Sequence, residues 1–150
     1  MNFNQTLDSF RPQLDLTMHV IRLANDCNST RPVRIFFSSS VAVVGRYPLT
    51  HGLRQPIEET SEITTDDVEH FGYAEAKWAC ERLYTSARNG LASRLTATNI
   101  RFGQLSGVEA TGFWNENEHL PMIVKSCQAV GKVPILPGVS SARALCHRFR

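Results

Sequence analysis

Val33-Arg34-Ile35-Phe36-Phe37, running into Ser38-Ser39-Ser40, decides the fold. A short unbroken run of β-branched and aromatic residues is the signature of a buried strand in a parallel sheet. Hydroxyls at its carboxyl end sit where open α/β sheets bind their ligands. Further along, Gly72-Tyr73-Ala74-Glu75-Ala76-Lys77-Trp78 sets a tyrosine and a lysine four positions apart. That spacing is one helical turn, so both side chains share a face. A tyrosine, with an ordinary pKa of ~10, needs a neighbouring positive charge to exchange a proton near neutrality. Taken singly, the pair also suits a solvated helix face, and the serines a polar strand-to-loop transition. Taken together, they suggest a serine hydroxyl on a substrate carbonyl and a tyrosine that delivers the proton.

Composition narrows the class. At 150 residues and 42% hydrophobic content, the chain has room for one globular domain with a sizeable core. A net charge of +2, with the basic residues dispersed, gives no reason to invoke nucleic acid or an acidic membrane surface. No apolar stretch approaches the ~18 residues of a spanning helix. Met1 leads directly into Asn2-Phe3-Asn4-Gln5, without the basic and apolar regions of a signal peptide, so a cytoplasmic location is expected. Cys27, Cys80, Cys127 and Cys146 are scattered without a Cys-x-x-Cys or Cys/His cluster. That excludes a zinc pattern and suggests buried free thiols in a reducing compartment.

Phe10, Leu14, Met18, Ile21 and Cys27 recur at helical spacing, widened by Val20, Leu23 and Ala24. This predicts a helix over 9–26, capped by Asp8 or Ser9, with Pro12 in its first turn. Residues 46–71 read as a long irregular segment, functional or mobile, whose acids Glu58, Glu59, Glu62, Asp66, Asp67 and Glu69 form a solvated face. His51 and His70 read as surface residues. A helix over 73–88 packs through Ala76, Cys80, Leu83, Tyr84 and Ala87 and stops in a left-handed turn at Asn89-Gly90. Leu95 to Phe102 is a second buried strand, and Gly103 and Gly107 suit either a turn or a close approach to a ligand. Pro121 to Val130 is a final amphipathic helix, stopped by Gly131 and Pro134.

The serine-ended strand and the Tyr-Lys helix resemble the extended short-chain dehydrogenase/reductases, which use a Ser or Thr, a Tyr and a Lys around a nicotinamide cofactor. Their register, counted back from Gly45, selects Ser40 as the catalytic hydroxyl, with Ser39 beside it. Residues 2–26 are similar to the Asp-Phe-Asn…Leu-x-x-Phe-x-Pro helix of the thioester reductases that end nonribosomal peptide and polyketide synthases. Thr98-Asn99-Ile100-Arg101-Phe102-Gly103-Gln104-Leu105-Ser106-Gly107 resembles their Arg-x-Gly-Gln-x-x-Gly strand. Gly112-Phe113-Trp114-Asn115 with His119-Leu120-Pro121 resembles their Gly-x-Trp-Asn…Trp-Leu-Pro segment.

The resemblance implies an α/β, Rossmann-like doubly wound parallel sheet, with residues 1–138 forming the carboxyl half of its nucleotide-binding core. It implies NADPH as cofactor, a carrier-protein-bound thioester as substrate, and release as an aldehyde or alcohol. By the same resemblance Ser40, Tyr73 and Lys77 are catalytic. Ser38, Ser39, Tyr73, Lys77, Arg101, Gly103 and Gln104 contact the cofactor. Two departures stand beside these expectations. No Gly-x-x-Gly-x-x-Gly loop occurs in the sequence, and residues 139–150 do not resemble the family's continuation. The expectation is therefore a partial domain with a divergent tail, inactive alone unless a complementing chain supplies the cofactor clamp. A nucleotide-sugar epimerase or dehydratase shares the Ser, Tyr and Lys, but Gly112-Phe113-Trp114-Asn115 argues against it. A chain that only binds is the third reading.

Overall fold

A computed structural model describes residues 5–27, 30–52, 56–59, 62–91 and 94–133. The expected tail, 139–150, lies outside them, as do Pro134 and Cys146. The chain divides into two compact units, Met1–Leu105 and Ser106–Arg150.

The first unit is α/β. A 3-10 turn, Leu7–Phe10, leads into α1, Arg11–Asp26. Then come β1 (Val33–Ser40), the short α2 (Tyr47–His51), α3 (Gly72–Gly90) and β2 (Leu95–Phe102). The two strands pair in parallel, from Val33 opposite Leu95 to Ser40 opposite Phe102. The strand thus runs through the serines rather than stopping at Phe37, because Ile100, Arg101 and Phe102 continue the ladder beside them. Pleating sends alternate side chains to opposite faces. Val33, Ile35 and Phe37 pack with Ala97 and the fully buried Leu95 against Ile21, Ala24 and Tyr84 of the two helices. The other face is open: Phe36 is 66% exposed, so the strand is buried on one face and not on both, as its unbroken apolar run had suggested.

Helix α1 turns Thr17, Ile21 and Ala24 inward. Leu23 and Cys27, expected in the stripe, are exposed, since a helix has one face and the buried one is fixed by Ile21 and Ala24. Thr17 is tolerated inside because its hydroxyl donates to the Gln13 carbonyl or the Cys80 sulfur. Pro12 lies in the first turn, and neither Asp8 nor Ser9 caps; Phe10 occupies the N-cap position of α1. Helix α3 continues through Gly90 to a C-cap at Leu91 with φ −126°. The expected left-handed stop does not form, because Leu91 packs onto the core and draws the chain onward.

The described residues of segment 46–71 are more ordered than its composition suggests. Besides α2 it holds a 3-10 turn, Thr65–Asp67, and Ile63 and Val68 join Val43 and Ala74 in a second small core. Trp78 of α3 donates its indole N–H to the Ile63 carbonyl at 3.1 Å. Asp67, placed by sequence on a solvated face, is fully buried. It accepts from the Thr50 hydroxyl (2.5 Å), the Thr64 hydroxyl (2.9 Å) and the Thr64 backbone N–H (2.8 Å). His51 Nδ1 lies 3.3 Å from it.

In the second unit, Gly107 packs so closely on the Phe113 carbonyl and on Trp114 that a Cβ would collide with both. Helix α4 spans His119–Val130 and ends, as the sequence predicts, at Gly131 with φ 67°, a conformation glycine adopts without steric cost. No helix of the described residues is long and apolar enough to cross a membrane.

Candidate active site

The Tyr-Lys helix begins where backbone meets backbone. A Cβ on Gly72 would strike the carbonyl groups of Gln5 and Thr6, so this glycine lets the amino-terminal turn lie directly on the start of α3. Tyr73 follows, with its ring stacked 6.2 Å from Phe71 and edge-on to Phe10 at 6.1 Å. One turn later Lys77 donates from Nζ to the Ser38 carbonyl at 2.6 Å. Its ammonium also stands over the Phe37 ring (4.9 Å) and the Tyr73 ring (5.6 Å). Burial lowers the Lys77 pKa from the ordinary lysine value, against a smaller upward pull from Cys80. A lysine amine carries three donors, so two remain beyond the Ser38 contact.

Ser40 ends β1 and caps the 3-10 turn Val41–Val44, its oxygen accepting from the Ala42 N–H at 3.2 Å. A hydroxyl used as an acceptor keeps its own proton to donate. The three serines have different surroundings. Ser38 uses its carbonyl to hold Lys77 and is exposed. Ser39 is 3% exposed and donates its hydroxyl to Glu81 Oε1 at 2.5 Å. That bond makes Ser39 an internal link between β1 and α3.

Arg101 also turns inward, pairing bidentately with Glu81 through Nε (3.0 Å) and a terminal nitrogen (2.7 Å). Gly103 and Gln104, just beyond β2, are exposed. Sequence reasoning missed Glu81. Its signal was a carboxylate one turn past Lys77, next to the packing residue Cys80 on an apolar helix side.

Tyr73 and Lys77, with Phe10, Thr17, Phe37 and Cys80, line a cavity of about 370 Å³. Among the described residues no cluster of three His, Cys, Asp or Glu side chains is arranged to hold a metal. Cys27, Cys80 and Cys127 are free thiols, of which only Cys80 is buried, so the expectation of uniformly buried cysteines fails at the exposed end of α1. For a nicotinamide cofactor the fit is local. Tyr73 and the two spare Lys77 donors suit the hydroxyl-rich nicotinamide riboside. The backbone cradle that a pyrophosphate needs at a glycine-rich strand-to-helix turn is not among the motifs of this sequence.

Parallel strands joined through a helix, a serine at a strand end, and tyrosine and lysine one turn apart define the short-chain dehydrogenase/reductase class. Within it, the family model described as male sterility protein, an NAD-binding family, matches residues 1–146, and the chain belongs to that family. It is 36% identical over 142 residues to 3-methylorcinaldehyde synthase of Phoma sp, a match covering 92% of this chain and 5% of that protein. It is 37% identical over 139 residues to an adenylate-forming reductase of Aspergillus terreus, covering 91% and 13% respectively. Among solved structures it resembles the terminal R domain from the myxalamid PKS-NRPS biosynthetic pathway, with TM-score 0.69 and 29% identity. That match covers 87% of this chain and 31% of the other. The chain thus spans a small part of each of these relatives.

Proposed function

We propose that these residues carry the proton-transfer half of a reductive release reaction, in which a carrier-bound acyl or peptidyl thioester leaves as an aldehyde or, after a second reduction, an alcohol. The observation that carries the reading is the Ser38–Lys77–Tyr73 junction. A lysine is pinned to the end of the serine strand while its ammonium stands over the tyrosine ring. A bound nicotinamide cofactor, NADPH by the family resemblance, supplies the hydride. Ser40, whose proton is free to donate, holds the carbonyl oxygen. Tyr73 gives that oxygen its proton as charge develops there, and the Lys77 ammonium favours the phenolate left behind. The resulting hemithioacetal then returns its O–H proton as its C–S bond breaks, and the carrier thiol leaves with that proton. Lys77 also reaches the ribose hydroxyls through its remaining donors. Gly103 and Gln104 line the nicotinamide side, with Arg101 behind them on Glu81. Names of the relatives such as aldehyde synthase and reductase support the product class.

The test pairs this chain with a separate polypeptide carrying the glycine-rich amino-terminal half of a terminal reductase. NADPH oxidation is followed with an acyl-pantetheine thioester, and the aldehyde is trapped. Aldehyde or alcohol formation that disappears in Tyr73→Phe is the expected result. A folded complex that binds NADPH and forms neither product refutes the reading.

A further inference from the structure

Glu81 lies where three elements meet. Ser39 of β1 and Arg101 of β2 are register partners across the parallel ladder, and both bind the same carboxylate from α3. Oε1 accepts from the Ser39 hydroxyl at 2.5 Å and from Arg101 Nε at 3.0 Å, while Oε2 accepts from the Arg101 terminal nitrogen at 2.7 Å. The carboxylate is 4% exposed. One turn before it, Lys77 makes the second link between the same helix and the same strand, to the Ser38 carbonyl.

A buried ion pair adds little net stability, since desolvation offsets most of its attraction and an apolar cluster of equal volume does as well. What it adds is direction. A bidentate arginine fixes the plane of the carboxylate, and a short O–H···O⁻ bond fixes its distance from the strand. Ser39 and Ser40 are consecutive, and Lys77 and Glu81 are one turn apart. Height and rotation set at Ser39–Glu81 are therefore transmitted directly to Ser40, Lys77 and Tyr73.

We propose that Glu81 is a positioning residue: through Ser39 and Arg101 it fixes α3 against the carboxyl ends of both strands, and so sets Tyr73 and Lys77 against the carboxyl end of β1. This rests on the reading of Tyr73 and Lys77 as the reactive pair, and the test below lets the two fail separately. Two variants conserve charge, so that any change they cause is geometric. Glu81→Asp pulls the carboxylate back by one methylene, and Ser39→Ala cuts only the link to β1. The 150-residue chain, labelled with ¹³C at lysine Cε, is titrated by NMR, with the Tyr73 ring contacts and thermal unfolding measured in parallel.

In both variants the Lys77 titration midpoint is expected to rise toward the 10.5 of an ordinary lysine, as the amine moves from its buried position into water and the burial that lowers its pKa is relieved. The Tyr73 ring contacts with Phe10 and Phe71, read as nuclear Overhauser effects, change with it. A purely structural Glu81 lowers the unfolding temperature and leaves the Lys77 curve and the Tyr73 ring contacts where they were; that result in a folded variant overturns the proposal. Ser39→Ala, the smaller change, decides the matter if Glu81→Asp does not fold. No turnover is needed. Shifted titrations without thioester reduction in the complemented complex keep Glu81 as the positioner and remove the reductase reading, whereas unshifted titrations alongside active reduction do the reverse.

Discussion

Replacing Asp67 by alanine tests how firmly the segment beyond Ser40 is held. The carboxylate is fully buried and takes hydrogen bonds from the Thr50 and Thr64 hydroxyls and the Thr64 backbone N–H. Bonds to a charged acceptor contribute about 1.5–3 kcal/mol each. The two threonines are exposed residues whose hydroxyls can turn to water, so part of this is recovered. The net loss is then about 3–5 kcal/mol, the range for breaking a buried charged network. For a chain of this size that lowers the melting temperature by roughly 6–20 °C. Asp67→Asn keeps one acceptor oxygen, best placed on the Thr64 N–H, and should cost about 1–2 kcal/mol.

The pH dependence separates charge from shape. Burial pushes the Asp67 pKa up, but the bonds from Thr50 and Thr64, with His51 nearby, outweigh it and hold the value below the ordinary 3.8. In the window between the lowered folded value and the ordinary unfolded one, the unfolded chain binds more protons, so stability rises with pH there. The contribution is therefore complete above the ordinary carboxylate value and disappears as acid titrates the folded group. Urea unfolding from neutrality down to about pH 3 should show wild type and Asp67→Asn converging in acid. A gap that stays constant over that range, or an Asp67→Ala loss within ~0.5 kcal/mol of wild type, refutes the reasoning.

In the complemented enzyme, Tyr73→Phe keeps both ring contacts and removes the acid, so turnover should fall ~100-fold or more with little change in cofactor affinity; equal turnover rejects the proton-donor role. Lys77→Ala loses the ammonium that serves both tyrosine and ribose, so turnover and NADPH affinity should fall together, and an unchanged Kd by calorimetry separates the two roles. Gly72→Ala forces the amino-terminal turn off α3 and should destabilise the chain by about 1–3 kcal/mol in urea; a neutral result means that the turn packs elsewhere. The 150-residue chain alone should bind NADPH at least ~100-fold more weakly than a complete terminal reductase, since losing even two charge-assisted bonds to the pyrophosphate costs ~3–6 kcal/mol. Micromolar binding by calorimetry contradicts this.

The elements that position the site were legible because their signals are local. Phe36-Phe37 with the serines, the 73/77 spacing, the alternation from Leu95 to Phe102 and the stop at Gly131 each depend on residues within a turn or two of one another. What the sequence hid is tertiary. Asp67 sits in a run of acids, and although its spacing from Thr64 makes a capping box that Asp66 lacks, its burial comes from Ile63, Val68 and Val43 closing around the segment. Asn89-Gly90 carries a strong stop signal, yet Leu91 overrides it by packing onto the sheet. Ser38, Ser39 and Ser40 are indistinguishable as letters; the pleat and the end of the strand separate them, one exposed, one buried on Glu81, one capping the turn that follows.

That separation bears on the chemistry. Consecutive strand residues point to opposite faces, so Ser39 and Ser40 cannot do the same work. Ser39 is committed to Glu81 on the helix side, while Ser40 accepts from the Ala42 N–H as the chain leaves the strand. The same pleat explains Arg101, which stands opposite Ser39 in register and so turns to the helix side, where it reaches Glu81. A helix that presents Tyr73, Lys77 and Glu81 at successive turns therefore meets one strand at two adjacent residues, through the Ser38 carbonyl and the Ser39 hydroxyl. Two links a turn apart restrain both sliding and rotation of α3, where a single link would leave it free to swing. Tyr73, one further turn along, sits at the end of this clamped segment, and its placement follows from contacts that the reacting groups do not themselves make.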